Sequence, residues 1–236
     1  MRTIGIIQPN YIPWRGFFDI VHEVDVFVFL DNVQYTVRDL RNRNRIRTRR
    51  GDTVWMTVPV IGGRNQLIKD VKIDGTQPWI LKHLEALKRS YGSTRNFQEY
   101  FDPLCEVYAR GFTSLSGLDI ALTKTLSQWL GIETEFVNAS TIPTTGEKED
   151  KLLQLVTYLK GDVYLSGPAA KSYMSDELWE DAGVEVRFKD YSGYPEYHQI
   201  SEPFDAAVSL LDLLFMVGAE APDYIWGKYR QKTGLP

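Results

Sequence analysis

The sequence TIGIIQPNYIPWRGFFDIVHEVDVFVFLDNVQYTVRDLRNRNRIRTRR, residues 3–50, decides how the rest of the chain is interpreted. An apolar run at residues 4–7 leads into a loop with Pro and Gly, residues 8–16. A short amphipathic stretch follows at residues 17–21, and a second apolar run covers residues 26–30. This alternation predicts a strand, a loop, a helix and a second strand.

Polar side chains collect where these two predicted strands end. The carboxyl ends of strands are where open α/β sheets bind ligands, because loops and helix N-termini converge there. We therefore expect a ligand site formed by Gln8, Asn10, Tyr11, Trp14, Asp31 and Gln34.

Arginines alternate with other residues directly after this segment. In an extended chain a period of two places them on one face, which predicts a phosphate-binding surface. Guanidinium groups bind phosphate oxygens in pairs, and the diphosphate of a nucleotide-linked sugar or a coenzyme suits several of them. The alternative is a solvated edge strand whose charges prevent aggregation. The arginines are Arg41, Arg43, Arg45, Arg47 and Arg49.

Composition limits the possible classes of protein. The chain has 236 residues, 43% hydrophobic and 25% charged, which suits one large α/β domain with a real core. A net charge of -4 argues against nucleic acid or an anionic membrane as a partner. Residues 38–50, however, contain seven arginines and one acid, so positive charge is focused there.

Location and metal binding follow from what the sequence contains. No apolar run approaches the roughly 18 residues of a membrane span, so we expect a cytoplasmic protein. The single cysteine, Cys105, excludes internal disulfides and a multi-cysteine zinc site. The three histidines are scattered without metal-ligand spacing, and we expect no metal.

The rest of the chain predicts two additions and a return to α/β alternation. Strands at residues 53–60 and 67–73 flank two glycines and predict a hairpin within a small antiparallel β extension, residues 41–75. Helical periodicity then predicts a helical insertion at residues 77–130. Alternating strands and helices follow to residue 188, and a last helix covers residues 206–217. The predicted fold class is α/β, a Rossmann-like and mostly parallel sheet flanked by helices.

Two further positions are candidates for chemistry. His83 shares a helical stripe with Trp79 and Leu87, so it is either a core residue or a general base, with His198 as the alternative candidate for a base. Ser166 and Gly167 end a predicted strand and offer backbone N–H groups to an anion, with Lys171 nearby for a phosphate. The alternative for this second position is a plain strand-to-helix turn.

The position of the first loop, QPNYIPWRGFF, resembles that of the phosphate loop in nucleotidylyltransferases of the Rossmann-like class. In those enzymes the loop carries paired histidines, whereas Tyr11 and Trp14 stand there in this chain. Without imidazoles the loop cannot polarise a triphosphate in that way. Tyr11 and Trp14 alternatively serve to pack the loop onto the sheet.

Several separated motifs together resemble the WbqC-like family. They are QPNYIPWRGFF, FLDNVQY, RNRNRI, WMTVPV, KHLEALKRSYG, YLSGPAAKSYM, YHQ and SLLDLLFMVGAE, and they span nearly the whole chain in order. The resemblance implies a single domain over residues 1–236. It also implies a role in clusters for O-antigen and related surface polysaccharides, with transfer of an amino acid such as glycine to an amino sugar.

The resemblance implies an acyl or aminoacyl (glycyl-like) transferase acting on a nucleotide-linked amino sugar. His83 or Asp31 would be the catalytic base. No tightly bound cofactor is expected, and the acyl donor is either a carrier-protein thioester, with an acyl carrier protein as partner, or an aminoacyl adenylate. The alternatives are a nucleotidylyltransferase-type enzyme and a non-catalytic nucleotide-sugar-binding module. The expected substrate-binding residues are Gln8, Tyr11, Trp14, Gln34, Arg43, Asn44, Arg45, Ser166, Gly167, Lys171, Tyr173, Tyr197 and Gln199.

Overall fold

The computed structural model describes residues 1–172 and 174–227. In chain order the strands are β1 (Thr3–Ile7), β2 (Val26–Phe29), β3 (Arg43–Arg47), β4 (Thr53–Thr57), β5 (Val60–Ile61), β6 (Lys72–Ile73), β7 (Glu135–Asn138), β8 (Val163–Ser166) and β9 (Glu185–Phe188). The α-helices are α1 (Arg15–Glu23), α2 (Trp79–Tyr91), α3 (Phe97–Ala109), α4 (Leu115–Trp129), α5 (Lys148–Tyr158), α6 (Asp176–Asp181) and α7 (Leu210–Val217).

The central sheet has five parallel strands in the order β7-β2-β1-β8-β9. Its inner strands β2 and β8 are buried along their whole length, as their continuous apolar runs require. The strand order reverses between β1 and β8, and such a reversal point is where open α/β sheets commonly bind ligands. The α/β fold class predicted from the sequence is confirmed.

Two small antiparallel pairs lie outside this sheet. Strands β3 and β4 form a ribbon, with Arg45 opposite Trp55, and β5 pairs with β6. The hairpin predicted between residues 53–60 and 67–73 is therefore wrong in part, because most of its first strand pairs with β3 instead. The second segment begins as a 3₁₀ helix, Ile68–Asp70, because the Ile68 side chain is buried in the core and its N–H donates to the Val33 carbonyl.

Helices cover both faces of the sheet. On one face α5 and α6 pack through Leu155 and Trp179 against Ile4 and Val26. On the other face a larger core joins α1, α2, α3, α4 and α7 with the ribbon. This larger core fixes the ribbon and α2 relative to the first loop, which positions the candidate site. In the described part of the chain, no helix has the length and apolar character needed to cross a bilayer.

Candidate functional site

The loop after β1 is held against the ribbon by hydrogen bonds. The Tyr11 N–H donates to the Leu40 carbonyl (3.0 Å), and the Asn44 amide donates to the Ile12 carbonyl (2.8 Å). Asn44 is buried and turned toward the loop, so its contact is with the backbone of the protein. The ribbon consequently lies directly beside the carboxyl edge of the sheet.

Arg41 ties the same loop to the entry of the ribbon. Its guanidinium donates from Nε to Gln8 Oε1 (2.5 Å) and also to Asn10. Burial lowers the pKa of Arg41, whereas Asp39 and Asp119 raise it. Arg41 and Gln8 therefore organise the first loop, and Gln8 lies at the end of β1 as the sequence predicts.

Tyr11 forms a buried polar cluster with His83 and Tyr108. Its hydroxyl lies 2.8 Å from His83 Nδ1 and is hydrogen-bonded to the Tyr108 hydroxyl. Both tyrosines are almost fully buried, and burial raises their pKa values above the ordinary one. Burial also lowers the pKa of His83 from 6.5 to about 4, against a hydrogen bond to the Thr57 backbone that raises it. The imidazole is therefore neutral at pH 7.

Trp14 lies in the first loop, directly before α1. Its ring packs edge-on against Tyr191 and Tyr194, with ring centroids 5.0 and 6.2 Å apart. A Cβ at position 16 would overlap the Trp14 indole, so Gly16 is needed for this packing. The indole is half-buried.

The predicted arginine surface divides into parts. Arg43, Arg45 and Arg47 alternate on β3 and share one face, whereas Arg41 precedes the strand and Arg49 follows it in the hairpin turn. The shared face therefore holds three of the five arginines.

The three arginines on that face have different surroundings. The guanidinium carbons of Arg43 and Arg45 lie 4.3 and 5.5 Å from the centre of a ring of Trp55. Arg45 also donates to the Ala207 carbonyl. Arg47 is buried and donates to carbonyls of the loop that precedes α7. Among the three, Arg43 and Arg45 remain partly accessible to a ligand.

Asp212 organises a second buried cluster. Its carboxylate accepts from Tyr91 Oη (2.6 Å), Tyr197 Oη (2.7 Å) and Gln199 Nε2 (2.8 Å). Burial raises the pKa of Asp212, and these hydrogen bonds oppose the increase. Tyr197 and Gln199 thus connect the loop that precedes α7 to α7 itself.

Asp31 follows strand β2 and contacts the segment after β7. Its two carboxylate oxygens accept from Ser140 N (2.8 Å) and Ser140 Oγ (2.7 Å). Gln34 lies further along the chain and donates to the Arg64 carbonyl (2.7 Å). These contacts place Asp31 and Gln34 away from the His83 cluster in the hydrogen-bond network.

The turn after β8 lies near Tyr191, which also contacts Trp14. Ser166 is buried, with Oγ 3.3 Å from Tyr164 Oη, and Gly167 approaches the Tyr191 hydroxyl. Lys171 is exposed in the 3₁₀ helix Pro168–Ser172. Tyr173 lies outside the described residues.

A groove between the ribbon and α2 was not predicted from the sequence, and we call it the α2 groove. Its His83 half, about 320 Å³, is lined by Val54, Trp55, Met56, Thr57, Pro59, Gln77, Trp79, Lys82, His83, Ala86 and Arg89. Its arginine half, about 510 Å³, is lined by Thr48, Arg49, Arg50, Asp52, Val54, Ala86, Arg89 and Ser90. Val54, Ala86 and Arg89 line both halves, so the two halves adjoin.

The charged side chains that line the α2 groove are mostly cationic. The lining contains four cationic side chains, Arg49, Arg50, Lys82 and Arg89, and one carboxylate, Asp52. This contrasts with the net charge of -4 for the whole chain. One sequence signal was available, because residues 82, 86 and 89 lie on one face of a helix. The ribbon side of the groove depends on tertiary packing.

The described residues contain no cluster of three or more His, Cys, Asp or Glu side chains suited to holding a metal ion. The cationic lining of the α2 groove suits an anionic ligand instead. Trp55, which is 46% exposed, offers a partly accessible indole at the border of the groove and the arginine face.

The fold and site define a class: an α/β protein whose parallel sheet carries a β ribbon bound to its first loop and a cationic groove beside a neutral histidine. The chain belongs to the WbqC-like protein family, whose model matches residues 8–224. The resemblance inferred from the motifs is thereby confirmed. The chain is also 42% identical over 228 residues to "Uncharacterized protein Rv1507c" of Mycobacterium tuberculosis (strain ATCC 25618 / H37Rv), covering 95% of this chain and 98% of that relative. No solved structure matches the chain.

Proposed function

We propose that the protein is an acyl or aminoacyl transferase that acts in the cytoplasm on a nucleotide-linked amino sugar for surface polysaccharide biosynthesis. The observation that carries this proposal is the position of His83, a neutral imidazole in the wall of the cationic α2 groove. Acyl transfer to an amine needs a base that is unprotonated at neutral pH and a site that binds phosphorylated substrates.

The reaction forms a bond between the amino nitrogen of the sugar and the acyl carbon of the donor. The bond from that carbon to the thiol or the adenylate breaks, and the nitrogen loses a proton to the base. His83 Nδ1 lies beside the Tyr11 hydroxyl, which can donate to it or accept from it. When Nδ1 carries the proton, the other ring nitrogen becomes an acceptor.

For His83 to act as base, the substrate amine takes the place of the Thr57 backbone as a hydrogen-bond partner of the imidazole. Tyr11 is fully buried, so its role is to hold the imidazole rather than to touch the sugar. Tyr108 supports Tyr11 in turn through their hydrogen bond. In this arrangement His83 is the catalytic residue, and Tyr11 is a positioning residue.

The nucleotide-linked sugar binds at the border between the groove and the arginine face. Arg43 and Arg45, stacked on Trp55, contact the diphosphate, because guanidinium groups bind phosphate oxygens in pairs. Arg45 retains its contact with Ala207, which keeps the guanidinium oriented.

An intact-mass survey tests the activity directly. Nucleotide-linked amino sugars are incubated with aminoacyl adenylates and with acyl carrier protein thioesters, and a product heavier by one acyl group is expected. His83→Gln should reduce the rate about 100-fold or more, the usual contribution of a general base. His198→Gln, at an exposed position, is the matched control. Formation of product by His83→Gln at the wild-type rate would rule out this role for His83.

A non-catalytic nucleotide-sugar-binding module is the second candidate. It is favoured by the engagement of Asp31 with Ser140 and of Arg47 with backbone carbonyls, since groups occupied in this way support structure. Such a module would gain thermal stability from a nucleotide-linked sugar, and Arg43→Ala would abolish the gain. It would leave both ligand and donors unchanged over hours. Magnesium-dependent release of pyrophosphate would instead indicate a nucleotidylyltransferase.

A further inference from the structure

The arginine half of the α2 groove contains a concentration of cations that the proposed chemistry does not use. Arg49 and Arg50 come from the β3–β4 turn, and Arg89 comes from the last turns of α2. The side chains therefore converge from two elements that are far apart in the sequence. The adjoining hydroxyl of Ser90 adds a donor suited to an anion.

One of these arginines is held in place by α2. Arg49 Nε donates to the Ser90 carbonyl (3.2 Å), and its terminal nitrogen donates to Ser93 Oγ (2.5 Å). These bonds fix the direction of the guanidinium, which reduces the entropy lost when a ligand binds. The Arg49 backbone is part of the same turn that carries Arg50 into the groove.

The remaining two arginines are exposed and retain their charge for a ligand. Within residues 1–172 and 174–227, no carboxylate lies within ion-pair distance of Arg50 or Arg89. The one carboxylate in this half, Asp52, accepts instead from the Thr48 hydroxyl. Three guanidinium groups thus face one occupied carboxylate.

We propose that this half of the groove is a phosphoryl-binding subsite, and that its ligand extends past Arg89 toward His83. Arg89 lines both halves, and a cavity of about 510 Å³ accommodates a phosphate or diphosphate with adjoining groups. The same phosphoryl chemistry occurs in a nucleotide-linked sugar and in a donor that carries a phosphopantetheine arm. The assignment of an anion site stands without the transferase proposal, and only the choice between these two sources rests on it.

The contrasting explanation is structural. Arginines near the C-terminus of a helix stabilise its free carbonyl groups and its dipole, and Arg49 and Arg89 are both placed to do so. A purely structural role predicts that substitution changes the free energy of unfolding and leaves anion binding unchanged. The two explanations therefore give opposite results in a binding experiment.

The test is calorimetric titration of the full-length protein with inorganic pyrophosphate at low ionic strength. Arg50→Ala and Arg89→Ala are each expected to raise the Kd about tenfold, the effect of losing one charge-assisted hydrogen bond. Arg89→Lys should retain part of the affinity because the charge remains. Arg110→Ala, an exposed arginine at the end of α3, is the control and should bind like wild type.

Two results would overturn the subsite: wild-type protein that binds no pyrophosphate, or Arg50→Ala and Arg89→Ala variants that bind it as tightly as wild type does. Separate titrations with a nucleoside diphosphate sugar and with phosphopantetheine identify the source of the phosphoryl group. The source is the ligand whose Kd the substitutions raise. If neither Kd changes, the subsite is refuted for both. Tight, arginine-dependent binding without acyl transfer in the mass survey would retain the subsite and refute the transferase.

Discussion

Burial of His83 predicts that this histidine makes folding stability depend on pH. Its pKa in the folded protein is about 4, compared with 6.5 for an unperturbed histidine. The unfolded chain therefore binds more protons than the folded chain between these two pH values, and stability falls as the pH falls through this window. Above about pH 6.5 the imidazole is neutral in both states and the effect is absent.

The magnitude follows from the difference between the two pKa values. At about 1.4 kcal/mol per pKa unit, the whole difference corresponds to roughly 3 kcal/mol, of which about 2 kcal/mol is lost by pH 5. Only 5% of the His83 surface is exposed, so solvent screening leaves most of this effect. A loss of about 2 kcal/mol is a large fraction of the folding stability of an ordinary domain.

The assay is urea unfolding of wild type and His83→Gln at pH 7, 6 and 5. Glutamine does not titrate, so the stability of wild type relative to the variant should decrease by about 2 kcal/mol between pH 7 and pH 5. His198→Gln controls for the removal of an exposed imidazole. If the difference between wild type and His83→Gln is the same at all three pH values, the lowered pKa of His83 in the folded protein is wrong.

Three further predictions concern other positions. Burial raises the pKa of Asp119 well above its ordinary value, so this carboxyl destabilises the fold as the pH rises. Asp119→Asn should therefore be more stable than wild type at pH 8, and this advantage should shrink by pH 5. A difference in unfolding free energy that stays constant with pH in urea unfolding would contradict this prediction. Asp31→Ala removes the two carboxylate oxygens that accept from Ser140, and it should lower the free energy of unfolding by about 2 kcal/mol. A decrease below about 0.5 kcal/mol would refute this prediction. Gly16→Ala should lower stability by about 1–3 kcal/mol despite the better helix propensity of alanine, because the methyl group of alanine overlaps the Trp14 indole. An unchanged melting temperature would refute the overlap.

Sequence reasoning was most successful where structure follows from local pattern. The apolar runs that became β1, β2 and β8 predicted a parallel sheet, and the helical period of residues 79–91 predicted α2. It was least successful where partners come from distant segments. Strand β4 pairs with β3 rather than forming the predicted hairpin, because β pairing depends on contacts between strands and not on the strand's own pattern.

The same distinction applies to the candidate site. The residues themselves, Gln8, Tyr11, His83 and the arginines, were recognisable because their chemistry is visible in the sequence. The contacts of these residues were not recognisable from the sequence, because Tyr11 and His83 are separated by 72 positions and meet only in the folded chain.

The sequence by itself thus determined the α/β class, the order of most elements and the family, because these follow from local periodicity and from motifs in order along the chain. Tertiary structure alone decided which arginines are engaged by backbone carbonyls and which line the α2 groove. It also lowered the pKa of His83, through burial of the imidazole. The physical reason is that burial, hydrogen bonding and local charge depend on atoms brought together by folding, and no local pattern specifies them.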